Sequence, residues 1–172
     1  LSKVTVQEAL EMANAKMEPK VVHATCVVER SFTKPAEAVF AALSEPAKIQ
    51  QWMSGGHSEL IDFQCEFEEG GQQVLKYRML PGTPIAGAVI TNAGRYQQIV
   101  PLERIVTVST MKMGEHLFSA SQVTFELLPS QQGTGLIITH QGAFFEGSDG
   151  PERREEGWNT LADNLAALLQ EP

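Results

Sequence analysis

Residues 149–169 read DGPERREEGWNTLADNLAALL, and this stretch decides the fold. Asp149, Gly150 and Pro151 open a helix, because a first-turn proline gives up an N–H that has no intrahelical partner anyway. The acidic Glu152 suits the positive end of that helix. Trp158, Leu161, Leu165 and Leu168 then recur at helical spacing, with Ala162 and Leu169 widening the stripe. The segment from Glu152 to Leu169 is therefore predicted as a long amphipathic helix with one apolar face to bury.

Upstream, the hydrophobic period becomes two. From Val21 to Phe32, Val22, Ala24, Cys26 and Val28 fall on one face and His23, Thr25, Glu29 and Ser31 on the other, the pattern of a half-buried strand. Thr33 as N-cap and Pro35 in the first turn predict a short helix through Ala36, Val39, Phe40 and Leu43. Ser44 with Pro46 repeats the device for a second one carrying Ile49 and Trp52. Leu60 to Phe67 and Gln73 to Met79 alternate about a Gly70, Gly71 turn, which is hairpin grammar. Further strands are predicted over Ala88 to Val100, Ile105 to Met111, Phe118 to Leu128 and Leu136 to Gln141, divided by turn signals at Pro101, Gly114, Pro129 and Gly133. A sheet built this way has one apolar face, and only the final helix is long and apolar enough to cover it. A curved sheet leaves a gap beneath such a helix, filled by side chains or by a ligand.

The 172 residues suit one domain with a short appendage. Residues 1–20 read as that appendage: Thr5 with Glu8 is a capping-box pattern, and Ala9, Leu10, Ala13 and Met17 follow at helical spacing before Pro19. The domain proper is 21–172, and the appended helix either docks on it or makes a partner or homodimer contact. A net charge of −8 disfavours phosphate backbones and anionic headgroups, so neither nucleic acid nor a membrane is expected as a partner. There is no run of about 18 apolar residues and no signal-peptide pattern at the start of this sequence, which makes the cytoplasm the default compartment. Cys26 and Cys65 are too few and too far apart for a disulfide framework or a Cys-based zinc site, and read as reduced core residues.

Several segments, in this order and spacing, carry a family resemblance. Val28, Glu29, Arg30, Ser31 and Phe32, then Pro35, Ala36, Val39, Phe40, Ala42, Leu43, Pro46 and Trp52, form the first. Gly70 and Gly71, Gly94, Arg95 and Tyr96 leading to Pro101, Glu103, Arg104 and Ile105, and Gln122 to Leu127 follow. Gly133, Thr134, Leu136 and Thr139, then Gly157, Trp158, Leu161 and Leu165, complete the set. Together they resemble the SRPBCC superfamily, and most closely its bacterial homologues of the heat-shock-protein ATPase activator, over about Val21 to Leu169. The resemblance implies an α+β, START-like helix-grip fold: a curved antiparallel sheet of six to seven strands around the C-terminal helix, with two short helices after the first strand. It also implies a cavity that in relatives holds lipids, sterols, polyketides or other apolar molecules and in some supports cyclase or hydrolase chemistry, though fold and function separate in this superfamily. Glu68 and Glu69, where many relatives carry basic or neutral residues, depart from the pattern. So does the N-terminal helix.

The candidate ligand-binding residues are Trp52, Phe63, Tyr77, Met79, Tyr96, Phe125, His140, Phe144, Trp158 and Leu161. Apolar pockets use aromatic and aliphatic walls with a few polar anchors, here Tyr77, Tyr96 or His140; the plainer reading of the same set is core packing. Phe144 and Phe145 are expected in a loop, Gly142 to Gly150, placed to gate the cavity. His140 shares the parity of Leu136 and Ile138 and faces inward, while His23 faces outward and His57 and His116 lie in loop and turn, so no metal site or other cofactor is expected. Arg154 and Glu155 fall one turn before Trp158, toward the sheet, either orienting a polar head at the cavity mouth or capping the sheet edge. The expected function is binding of an apolar or amphipathic small molecule between sheet and helix. The alternatives are a cyclase- or hydrolase-type enzyme using His140 or Glu155 as general acid or base, and a co-chaperone-like interaction module.

Overall fold

The computed structural model describes residues 5–7 and 20–170. The helix expected over residues 1–20, with its docking or dimer contact, lies outside the described residues apart from 5–7 and Lys20. The elements run β1 (Val22–Phe32), α1 (Ala36–Ser44), α2 (Pro46–Met53), β2 (Ser58–Cys65), β3 (Gln72–Met79), β4 (Val89–Val100), β5 (Arg104–Met113), β6 (His116–Ser130), β7 (Gly133–Phe144) and α3 (Gly150–Gln170). The order is the one the periodicity predicts.

Three local boundaries differ. Pro35, not Thr33, occupies the N-cap of α1, and Glu45, not Ser44, that of α2, with no side-chain cap at either. Proline fixes the entering backbone by its ring alone, so a hydroxyl cap is dispensable there. The third difference bears on the site: β7 continues to Phe144, where Phe144 pairs with Val22 on one side and Ser119 on the other. Phe144 is thus a strand residue, and the expected gating loop shrinks to the residues between β7 and α3.

The seven strands form one antiparallel sheet in the order β1-β7-β6-β5-β4-β3-β2. Consecutive strands from β2 to β7 are neighbours, while α1 and α2 carry the chain from β1 at one edge to β2 at the other. α3 returns across the inner face and packs along β1 and against α2. Arg30, inward on β1, ties the two together: its Nη2 donates to Asp163 Oδ1 (2.9 Å) and Asn159 Oδ1 (3.2 Å) on α3. Asn164 on α3 donates to the Trp52 carbonyl at the end of α2, and Trp52 Nε1 donates to the Ala42 carbonyl of α1. The three helices are therefore cross-linked by polar groups at their ends as well as by burial.

Pairing registers sort the inner face into rows that run across the strands. Val28, Ile138, Phe125 and Ile105 form one, and with Leu136, Leu165, Val39 and Trp52 they belong to a dense core under the C-terminal two thirds of α3. Two rows away, Ala24, Gly142, Ser121, Ser109 and Gly94 align on five successive strands. The rings of His140 and Phe144 lie over Gly142, but Ser121, Ser109 and Gly94 are too short to fill the space beneath the helix and border open volume instead. The core is therefore solid at one end of α3 and hollow at the other.

Candidate functional site

The hollow is a cavity of about 690 Å³ between the sheet and the first turns of α3. Its apolar wall includes Leu75, Ile90, Met111, Phe118, Val123 and Phe125 from the strands, Ile49 and Trp52 from α2, and Trp158 and Leu161 from α3. Its mouth lies among Thr83, Pro84 and Ile85 of the β3–β4 loop, His57 and Ser58, Gly147 to Asp149 before α3, and Arg153 and Glu156. A shallower concavity of about 1000 Å³ crosses the outer face behind the same small-residue row. It is open and, among the described residues, has no helix over it and encloses no buried polar side chain, so the inner cavity is the candidate site.

The polar end is built around Arg154, which is only 8% exposed. Its Nε donates to Asp149 Oδ2 (2.8 Å), and its Nη2 donates both to Asp149 Oδ1 (2.7 Å) and to Ser119 Oγ (3.0 Å). Nη1 lies 3.4 Å from His140 Nε2, and the guanidinium carbon sits 5.1 Å from the centre of the Phe144 ring, a cation–π contact. Asp149 in turn stands at the N-terminus of α3, where the helix favours negative charge, and accepts from Ser148 Oγ (3.1 Å). This bidentate, stacked arrangement uses the planar fork that lysine lacks.

Burial and the adjacent Arg154 push the His140 pKa down from 6.5 to about 4. Arginine can only donate, so the Nε2 that faces it carries the lone pair and the proton of the neutral ring is on Nδ1. Burial pushes Tyr77 up to about 12, so its hydroxyl stays protonated. No hydrogen bond joins the Tyr77 hydroxyl to any described residue, and its ring lines the cavity, which leaves the hydroxyl for whatever enters. Tyr96 is different. Its hydroxyl accepts from Gln73 Nε2 (3.0 Å) and lies 3.3 Å from Cys65 Sγ, and its ring meets Phe67 edge-on. Both thiols are reduced, and burial raises both pKa values, so neither is poised as a thiolate nucleophile.

Of the residues predicted for the site, Trp52, Tyr77, Met79, Tyr96, Phe125, His140, Trp158 and Leu161 converge on the cavity. Phe63 and Phe144 do not line it. Phe63 lies on the outermost strand, opposite Leu75, and it is Leu75 that reaches the cavity. Phe144 is buried behind the polar end, 6.2 Å ring to ring from His140. Glu155 is exposed, and not turned toward the sheet as expected: Arg154 takes the inward position and the next residue of a helix points about 100° away. The sequence reading missed Asp149 and Ser119 as partners of Arg154, and the inward Asn92, Thr107, Ser109 and Ser121. One signal for Arg154 was present: a charge one turn before Trp158, on the apolar stripe itself.

The family model described as "Activator of Hsp90 ATPase homolog 1-like protein" matches residues 33–170. Among solved structures, a protein from Rhizobium leguminosarum is 31% identical, with a TM-score of 0.78 over 87% of this chain and 96% of that one. A protein from Rhizobium loti is 36% identical, with a TM-score of 0.75 over 86% and 98%. The AHSA1 protein from Silicibacter pomeroyi is 25% identical, with a TM-score of 0.68 over 85% and 97%. No curated protein matches the chain.

Proposed function

The chain belongs to the family of activator of Hsp90 ATPase homolog 1-like proteins, and on that footing we propose that it binds an apolar or amphipathic small molecule in the cavity between its sheet and α3. Family membership is compatible with either a ligand-binding or a co-chaperone-like domain. The observation that favours the first is the cavity: about 690 Å³, walled by aromatic and aliphatic side chains, with a small set of polar groups gathered at one end. Sites for small molecules have this size and make-up. Tyr77 and Arg154 serve as the polar anchors in this reading. Tyr96 contributes its ring only, because its hydroxyl is already committed to Gln73 and Cys65.

A cyclase- or hydrolase-type reaction would draw on a proton-transferring group free to meet substrate. The His140 lone pair faces Arg154 and its pKa is low, while Glu155 faces solvent. Binding without turnover is therefore the better-supported reading.

Native mass spectrometry of protein taken from its source, alongside fluorescence of added N-phenylnaphthylamine, tests the proposal. A co-purifying molecule, or probe fluorescence that rises on binding and is suppressed in Ser121→Phe, is the expected result, since a phenyl ring at that position fills the hollow row. Protein that carries no molecule and leaves the probe dark would overturn it.

A further inference from the structure

The cavity holds a positive charge whose compensation is built in. Arg154 is the buried cation of the wall, and Asp149 neutralises it through two hydrogen bonds at 2.7 and 2.8 Å. At the mouth, Arg153 and Glu156 add one charge of each sign, both exposed. Arg95 also borders the cavity, but it is exposed and donates to the Gly70 carbonyl at 2.8 Å. Arg154 with Asp149 and Arg153 with Glu156 sum to zero, and the one uncompensated charge of the lining, Arg95, is exposed and held on the Gly70 carbonyl, so the polar end built around Arg154 has no net positive charge to receive an anion.

Hydrogen-bond donors are nonetheless in surplus there. A guanidinium has five N–H groups. Those of Nε and Nη2 are used on Asp149 and Ser119, and one on Nη1 faces His140 Nε2, so a single Nη1 hydrogen is without an acceptor. Tyr77 brings a hydroxyl with no protein partner among the described residues, and Asn92 an amide in the same condition. The lone pair of His140 Nε2, which a ligand hydroxyl or amine could otherwise meet, is occupied by Arg154.

We propose that the Arg154–Asp149 pair makes the cavity selective for an uncharged, largely apolar ligand whose one polar end is a hydrogen-bond acceptor, such as a ketone carbonyl, and that it excludes the carboxylate of the same shape. The carbonyl oxygen takes the free Nη1 hydrogen of Arg154 and the Tyr77 hydroxyl. A carboxylate placed there adds an unbalanced negative charge beside Asp149 in a desolvated pocket, and an unpaired buried charge is far costlier than a neutral acceptor. The inference rests on the small-molecule reading above and adds to it the polarity of the ligand.

The test is competition for N-phenylnaphthylamine bound to the whole protein at neutral pH, by methyl undecyl ketone and by dodecanoate. These share one alkyl chain and differ by a methyl group in place of a carboxylate oxygen. The ketone should displace the probe at a concentration at least about tenfold lower than dodecanoate, the ratio that a difference of about 1.4 kcal/mol produces. Asp149→Asn, which frees the charge of Arg154, should move that ratio at least about tenfold toward dodecanoate. Tyr77→Phe removes a donor that no protein group needs and should weaken the ketone several-fold, which keeps the idea exposed to test if Asp149→Asn fails to fold. Equal or better displacement by dodecanoate from the wild-type protein would overturn this inference while leaving ligand binding intact. Failure of the probe to bind at all would overturn both.

Discussion

Gly94 on β4 lies so close to Ser109 on β5 that a Cβ at Gly94 would stand 2.8 Å from the Ser109 Cβ and 2.6 Å from the Val108 carbonyl oxygen. Neither neighbour can swing aside, because one is backbone and the other is attached directly to it. Gly94→Ala is therefore expected to lower stability by about 1–3 kcal/mol, the range for overpacking a well-packed site. Gly157 on α3 provides the contrast: nothing lies within 4 Å of its added Cβ, so Gly157→Ala should raise stability by about 0.4–1 kcal/mol through helix propensity and a less flexible unfolded chain. Urea unfolding midpoints with unchanged slopes would check both.

Protonation of His140 should destabilise the protein in mild acid. The unfolded chain protonates this imidazole at the ordinary value of 6.5 and the folded protein only at about 4. Between those values the unfolded state holds the extra proton, so stability is full above the upper one and is lost as pH falls to the lower. The total from this group is on the order of 3 kcal/mol. Arg154 and Asp149 face the ring from α3 and its approach, and Cys26 is its neighbour on β1. Unfolding measured across this window should show a slope that His140→Gln flattens, and an unchanged slope would sink the assignment.

Leu165, fully buried at the centre of α3 in the core cluster with Val39 and Ile138, should be among the costliest positions to truncate. Leu165→Ala is expected to destabilise by about 2–5 kcal/mol, since it removes apolar contact and leaves a void in close-packed surroundings. Thermal or chemical denaturation would measure it. The comparable truncation of Leu161 should cost less, because it packs against the core on one side but already borders the cavity on the other.

The two tyrosines should separate structural from ligand-directed hydroxyls. Tyr96→Phe strips an acceptor from Gln73 and a partner from Cys65, and should cost about 0.5–1.5 kcal/mol. Tyr77→Phe removes a hydroxyl with no partner among the described residues and should change stability by less than about 0.5 kcal/mol. Paired denaturation curves would show the difference directly.

Much of the architecture is legible in the chain because its signals are local. A period of two places Ala24, Cys26 and Val28 on one face of β1 and His140 on the same side as Leu136 and Ile138, and the structure has them there. The stripe from Trp158 to Leu169 gives α3, with Arg154 a conspicuous charge on it. Phe144 went astray for the same reason. Period counting finds an element but not its end, and β7 is held out to Phe144 by pairing with Val22 and Ser119, residues far away in sequence.

By itself, then, the sequence determined which elements form, their order, and which face of each is apolar, since these follow from the backbone's own repeat and from side-chain chemistry. Only the tertiary structure decided where the interior is empty. Ser121, Ser109 and Gly94 leave a hollow because registers align them on adjacent strands, while further along the same row the rings of His140 and Phe144 close over Gly142. Likewise, Asp149 and Ser119 complete Arg154, and Gln73 takes up the hydroxyl of Tyr96, through contacts no local pattern encodes. Register and long-range contact are cooperative properties of the packed chain, and they turn an apolar face into a shaped cavity with one polar end.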